Sequence, residues 1–194
     1  MANWAITDYV IEGSKESLKR IYDAIKNHEV EEGSDNSWEG NILNALGIDW
    51  DREFYMRGFI RDIEAINFNP DTDAVLSFYT EEAWGATDFN IALEEGIPDI
   101  KVYFSVIEEG EELYATNDAE GKYFTDRYYV DTCIDGDYNS EFFSSEKSIY
   151  QWLSNITNGK IKSKEDVAKF NSDNEDSDNY DENYIYIHEF KIVK

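Results

Sequence analysis

The sequence is poor in the residues that most often announce a chemistry. Of 194 residues, one is cysteine, Cys133, so neither a disulfide framework nor a cysteine zinc site can form within the chain. There are two histidines, His28 and His188, far apart in sequence, and with a lone cysteine they make no metal-ligand signature. Prolines number two, Pro70 and Pro98, and basic residues 17 against 43 acids, a formal net charge of -26. Such a chain repels phosphate, and its densest basic stretch, Lys160-Ile-Lys162-Ser-Lys164, is too short for counterion-release binding to nucleic acid. No hydrophobic run approaches the length of a membrane span. Residues 1–20 carry neither a basic n-region nor an apolar h-region, so no signal peptide is expected and a reducing cytoplasm is the expected compartment. No Walker loop, Gly-x-Gly-x-x-Gly or Gly-x-Ser-x-Gly is present to support nucleotide binding or a nucleophile elbow.

What the chain does have is a core. Hydrophobic residues make up 41% and aromatics 15%, with 14 Tyr and 11 Phe, a composition that disordered chains lack. A length of 194 residues suits one domain, taken as 1–194.

Trp4–Glu12 is rich in β-branched and aromatic residues and predicts a strand. Gly13 ends it, Ser14 is an N-cap, and Leu18, Ile21, Tyr22 and Ile25 form the apolar stripe of a helix. Trp38–Ile48 predicts a short helix. Gly58–Phe68 and Ala74–Thr80 predict a hairpin across Asn-Pro-Asp-Thr-Asp, and Thr87–Glu95 a helix closed by Gly96 and Pro98. Strands at Lys101–Glu108, Leu113–Thr116 and Tyr123–Ile134 make a meander. Helices follow at Ser145–Ile156 and from Ser163 to Phe170, then an acidic flexible loop at 171–183, and a last strand at Tyr184–Val193, apolar on both faces and therefore expected to be interior. The order predicts an α+β fold. Its core is a ferredoxin-like split βαβ, an antiparallel sheet with helices on one face, extended by the meander and by the C-terminal helix plus strand. An uncovered edge of that sheet would permit two copies to pair strand to strand.

The start Met1-Ala2-Asn3-Trp4, the strand, Gly13 and the amphipathic helix resemble the YubB-type ferredoxin-like domain family, whose members begin with Met, any residue, Asn-Trp. Phe78, Thr80 and Trp84 are similar to that family's Phe-x-Thr-x-x-Trp element, with the Trp one place further on and Gly85-Ala86 where the family has prolines. The aromatic, acidic strand Val102–Glu108, followed by Glu-Glu-Gly-Glu-Glu-Leu-Tyr-Ala, is also similar. The likeness covers about the first thirty residues and roughly 75–130, and not the C-terminal part. It implies a ferredoxin-like fold and a home on bacterial mobile elements, and it implies no reaction.

Four constellations invite a function. Glu81 and Glu82 stand close to Trp84 in sequence, as a glycosidase acid pair stands beside a sugar platform. Adjacent residues of a strand point to opposite faces, however, so the two are ill placed to flank one bond, and one of them would have to pair with Asp88 or Glu108. The plainer reading makes Trp84 a plug of the core and Thr87 or Asp88 a helix cap. The tract Asp173, Glu175, Asp176, Asp178, Asp181 and Glu182 lacks the glycine and terminal Glu of an EF-hand loop, and weak divalent-cation binding is the most it implies. His188 has no elbow to act with, and His28 suits a helix C-terminus. Lastly, the acidity itself could imitate DNA phosphates.

The expected function is therefore non-enzymatic: an acidic cytosolic protein that binds a protein partner with a basic nucleic-acid-binding surface, as a DNA-mimic inhibitor or regulator would. It would have no cofactor and no direct contact with nucleic acid or membrane. Its candidate acidic face is Glu81, Glu82, Glu108, Glu109, Glu111 and Glu112. The competing reading is a hydrolase with a carboxylate-lined cleft.

Overall fold

The computed structural model describes residues 3–28, 35–50, 54–66, 74–85, 88–175 and 183–193. The chain is α+β. Where the sequence suggested one domain, it divides into two compact units, Met1–Phe124 with Ile192–Lys194, and Thr125–Lys191.

The first unit contains β1 (Trp4–Gly13), α1 (Lys15–Lys26), α2 (Glu39–Ala45), β2 (Gly58–Arg61), β3 (Ala74–Ala83), α3 (Phe89–Gly96), β4 (Ile100–Glu108) and β5 (Leu113–Thr116). Its sheet runs β2-β3-β1-β4-β5 and is completed by the two-residue β9 (Lys191–Ile192), whose chain continues so that the Val193 N–H donates to the Thr116 carbonyl at 2.9 Å. The pairs β2/β3, β3/β1, β1/β4 and β4/β5 are antiparallel. Along β1, Ala5, Thr7, Tyr9 and Ile11 are buried while Trp4, Ile6 and Asp8 are exposed, the period-two signature of a sheet covered on one face. The covering side chains are Leu18, Ile21 and Ile25 of α1, Ile42 and Leu43 of α2, and Phe89, Ala92 and Leu93 of α3. Ser14 caps α1 as expected, its hydroxyl accepting from the Ser17 N–H at 3.2 Å.

β2 is shorter than the sequence pattern suggested. Asp62 turns the chain out of the strand at φ 32°, and residues 67–73, including the hairpin loop, lie outside the described residues. The outer side of β2 is covered: Trp38 bridges Phe59, Glu39 Oε2 accepts from the Gly58 N–H, and Arg61 Nη1 donates to Ser37 Oγ. Such capping blunts an edge that another chain could otherwise extend.

The second unit contains β6 (Tyr128–Ile134), β7 (Asp137–Phe143), α4 (Glu146–Ile156), α5 (Lys164–Glu175) and β8 (Tyr184–Glu189). Its three strands form a separate antiparallel sheet in the order β7-β6-β8, with its own core of Val130, Phe143, Ile149, Leu153, Ile161, Val167 and Ile185. Several expectations are corrected. The meander does not extend the first sheet beyond β5. The two-residue loop Asp135-Gly136, with φ of 53° and 82°, makes β6/β7 a tight hairpin. The final strand is not interior: Phe190 separates β8, at the edge of one sheet, from β9 at the edge of the other. The stretch 171–183 is not all loop either: 171–175 end α5, and 176–182 lie outside the described residues. No described helix is long and apolar enough to cross a membrane.

Candidate functional site

Alternation splits the two adjacent acids as geometry required. Glu82 points to the helix-covered face and is fully buried. It accepts three hydroxyl bonds: Thr80 at 2.8 Å and Tyr9 at 3.0 Å on Oε1, and Thr7 at 2.9 Å on Oε2. Glu39, the first residue of α2 and also fully buried, lies beside it. A Cβ on Gly58 would stand 2.6 Å from Glu82 Cγ and 2.7 Å from Glu39 Oε1, so glycine at 58 is what admits both carboxyls. Burial, and then the charges of Glu82 and Glu39, push the Tyr9 phenol well above its ordinary range. This is a polar knot inside the core, and it removes Glu82 from any surface. Glu81 faces the other way, partly exposed, and Arg61 Nε donates to it at 3.0 Å.

The other expected acids gather where β4 passes through a 3₁₀ turn (Glu109–Glu111) into β5. Glu109, Glu111 and Glu112 are exposed, whereas Glu108 is 2% exposed. Antiparallel pairing brings to the same end of the sheet the start of β1, the end of β3 and the chain entering β2. Trp4, Ile6, Tyr55 and Trp84 meet solvent there, Tyr55 at 71% and Trp84 at 61% exposure. Trp84 is therefore not the core plug that its hydrophobicity suggested. Its φ of 60° turns the chain out of β3 in the left-handed region, and the Trp84 N–H donates to the Asn3 carbonyl at 2.9 Å. The Arg57 guanidinium lies 5.6 Å from the Trp84 ring and 5.7 Å from the Tyr55 ring. Asn3 Nδ2 donates to Glu111 Oε1 at 3.1 Å, joining the acidic turn to the start of β1. Asp88 sits at the head of α3 and accepts from the Tyr55 N–H at 3.0 Å; Thr87 lies outside the described residues.

Sequence reasoning missed the helix-free face of this sheet. Asp8, Val10, Ser77 and Tyr79 line a hollow of about 400 Å³ together with Asp62, Glu64 and Phe124. Asp8 is exposed on this face, and desolvation by the surrounding walls raises its carboxyl above the ordinary range. Phe124 on one flank is held by Asp118, whose carboxylate accepts from the N–H groups of Lys122, Tyr123 and Phe124. Burial opposes its charge, but those backbone donors outweigh burial and hold Asp118 below its usual value. The loop so tied presents Lys122 and Tyr123 to Glu12 of β1. No short motif encodes this arrangement, since its members are brought together by strand register and by one Asp-centred turn.

In the second unit, His188 Nε2 lies 2.9 Å from Asp131 Oδ2, and Cys133 is buried. His28 Nδ1 contacts the Ala24 carbonyl at the end of α1. Of the acidic tract, Asp173 lies in α5 and 176–182 lie outside the described residues. Among the described residues no group of three or more His, Cys, Asp or Glu could hold a metal ion. Comparison with family models, with curated proteins and with solved structures finds no match to this chain.

Proposed function

We propose that the protein is a non-enzymatic binding protein whose first unit docks a basic protein surface through the acidic, aromatic end of its sheet. The observation that carries this is the concentration of Trp4, Ile6, Tyr55 and Trp84, all half-exposed or more, beside Glu109, Glu111 and Glu112. Large apolar side chains gathered in one exposed place mark interaction sites, and tryptophan and tyrosine are the usual anchors. A net charge of -26 selects a basic partner and steers its approach. The particular reading is a mimic of nucleic acid that occupies a basic nucleic-acid-binding groove, as an inhibitor or regulator of mobile-element origin would. The scaffold is read as ferredoxin-like, supported by the order β1-α1-α2-β2-β3-α3-β4, with α2 inserted before β2, and by the spatial order β2-β3-β1-β4. Affinity capture tests the proposal. A captured partner should be displaced by a 20-base-pair duplex and lost when Trp4 and Trp84 are both changed to Ala. Capture that survives both, or recovery of no partner from the native host, counts against it.

The hollow over Asp8 favours one other reading, a hydrolase whose cleft is lined by Asp8, Asp62 and Glu64. Under it, a hydrolytic activity found by substrate screening would disappear in Asp8→Asn and persist in the Trp4→Ala, Trp84→Ala protein.

A further inference from the structure

We propose that Glu108 receives a single lysine or arginine side chain of the basic partner, entering between Trp84 and the Glu109–Glu112 turn. This rests on the binding reading above and supplies its central contact.

Glu108 is 2% exposed, and its Oε1 has no hydrogen-bond partner among the described residues. A buried carboxylate oxygen in that state is costly, and each such atom in a folded protein calls for an explanation. Its surroundings point to a cation. Glu111 lies close enough for its charge, after burial, to raise the Glu108 carboxyl. The exposed Glu109, Glu111 and Glu112 surround the approach with negative potential. Above the carboxyl stands Gly85 at φ 89°: a Cβ there would lie 3.1 Å from Leu113 Cδ2 and 3.4 Å from Glu108 Oε2. Any side chain at 85 would thus occupy the space over the carboxylate. The preceding Trp84 is held in the left-handed region, a strained conformation for a bulky residue. Entry requires this corner to shift, and its strained residue sits at the point that must move.

The chemistry of the cation follows from what is present. A divalent metal ion needs several oxygens, and among the described residues no group of three or more His, Cys, Asp or Glu could hold one. One open carboxylate oxygen under Gly85, the residue after an exposed Trp84, suits an organic cation on an apolar stem. The chain's own Arg57 already lies over Trp84 at 5.6 Å, so this indole does accept a guanidinium. A bound ammonium or guanidinium would satisfy the orphan oxygen, neutralise the buried charge and relieve its repulsion by Glu111.

The test is an NMR titration of the full labelled chain with hexalysine, hexaarginine and, as control, hexaglutamate. One of the two basic peptides should shift the Gly85 amide and the Trp84 indole N–H, and should lower the pH midpoint of the Glu108 carboxyl carbon. Glu108→Gln should weaken that peptide about tenfold or more. Glu112→Gln, at the rim, should weaken it only about twofold. An unchanged affinity in Glu108→Gln with an unmoved Glu108 midpoint overturns the inference. In that event, loss of peptide binding in the Trp4→Ala, Trp84→Ala protein leaves the docking surface standing, whereas shifts spread evenly over all acids overturn both. If Glu108→Gln fails to fold, the carboxyl titration of the unaltered protein decides. Equal shifts with hexaglutamate also overturn the inference.

Discussion

Replacing Glu82 by Leu should destabilise the first unit by about 3–5 kcal/mol, the cost of three stranded buried hydroxyl donors less what is regained by not burying the carboxyl. The magnitude comes from what is stranded. Thr7, Tyr9 and Thr80 all donate hydroxyl hydrogens to this one side chain, at 2.8–3.0 Å. Each buried donor left unmade costs about 1–3 kcal/mol. Relief of the burial of Glu82 and rearrangement among the hydroxyls offset part of that sum. With a urea m-value of about 2 kcal/mol/M, the midpoint should fall by about 2 M. Tryptophan fluorescence is the assay, since Trp4, Trp38, Trp50 and Trp84 belong to the first unit and only Trp152 to the second. A companion protein carrying Thr7→Val, Tyr9→Phe and Thr80→Val as well as Glu82→Leu should recover most of the loss, because removing donors and acceptor together leaves no orphan. A loss below about 1 kcal/mol for Glu82→Leu, or no recovery in the companion, would refute the idea that the knot is held by these bonds.

Gly58→Ala should cost about 1–3 kcal/mol, the usual penalty for overpacking, because the added methyl would stand 2.6 Å from Glu82 Cγ; urea denaturation measures it. Asp118 should make stability pH-dependent with a definite sign. Its folded carboxyl lies below the unfolded value of about 3.9, so its contribution is full above that pH and is lost as pH falls through the depressed folded value. Asp118→Asn should lower stability at neutral pH and flatten that acid limb, read from melting temperatures between pH 2 and pH 7.

The first helix was legible residue by residue. Ser14, then Leu18, Ile21 and Ile25, are local signals, and they made the cap and the buried face they announced. The opposite orientation of Glu81 and Glu82 was equally legible, because a strand alternates whatever surrounds it. Trp84 was not. Its hydrophobicity argues for burial, but the chain leaves β3 at that residue in the left-handed region, and the indole is exposed over Arg57. The division of the meander was also hidden: Tyr128–Ile134 has the pattern of a strand, but pattern does not name the strand it pairs with. Asp135-Gly136 was a turn signal available in the sequence, and it marks the hairpin that the reading passed over.

Composition and local pattern by themselves determined that this chain is α+β, carries a formal net charge of -26 and starts with a strand, a turn and a capped helix. Those properties depend on net charge and on residues within a few positions of each other. The tertiary structure alone decided which acids are surface and which are core. Glu82 and Glu108 read like any other glutamates of an acidic chain, yet strand register and the glycines at 58 and 85 put the first in a knot of hydroxyls and leave the second with an open oxygen. Burial is a property of contacts between residues distant in sequence, and that is why a list of 43 acids could not say that Glu39, Glu82, Glu108 and Asp118 were inside.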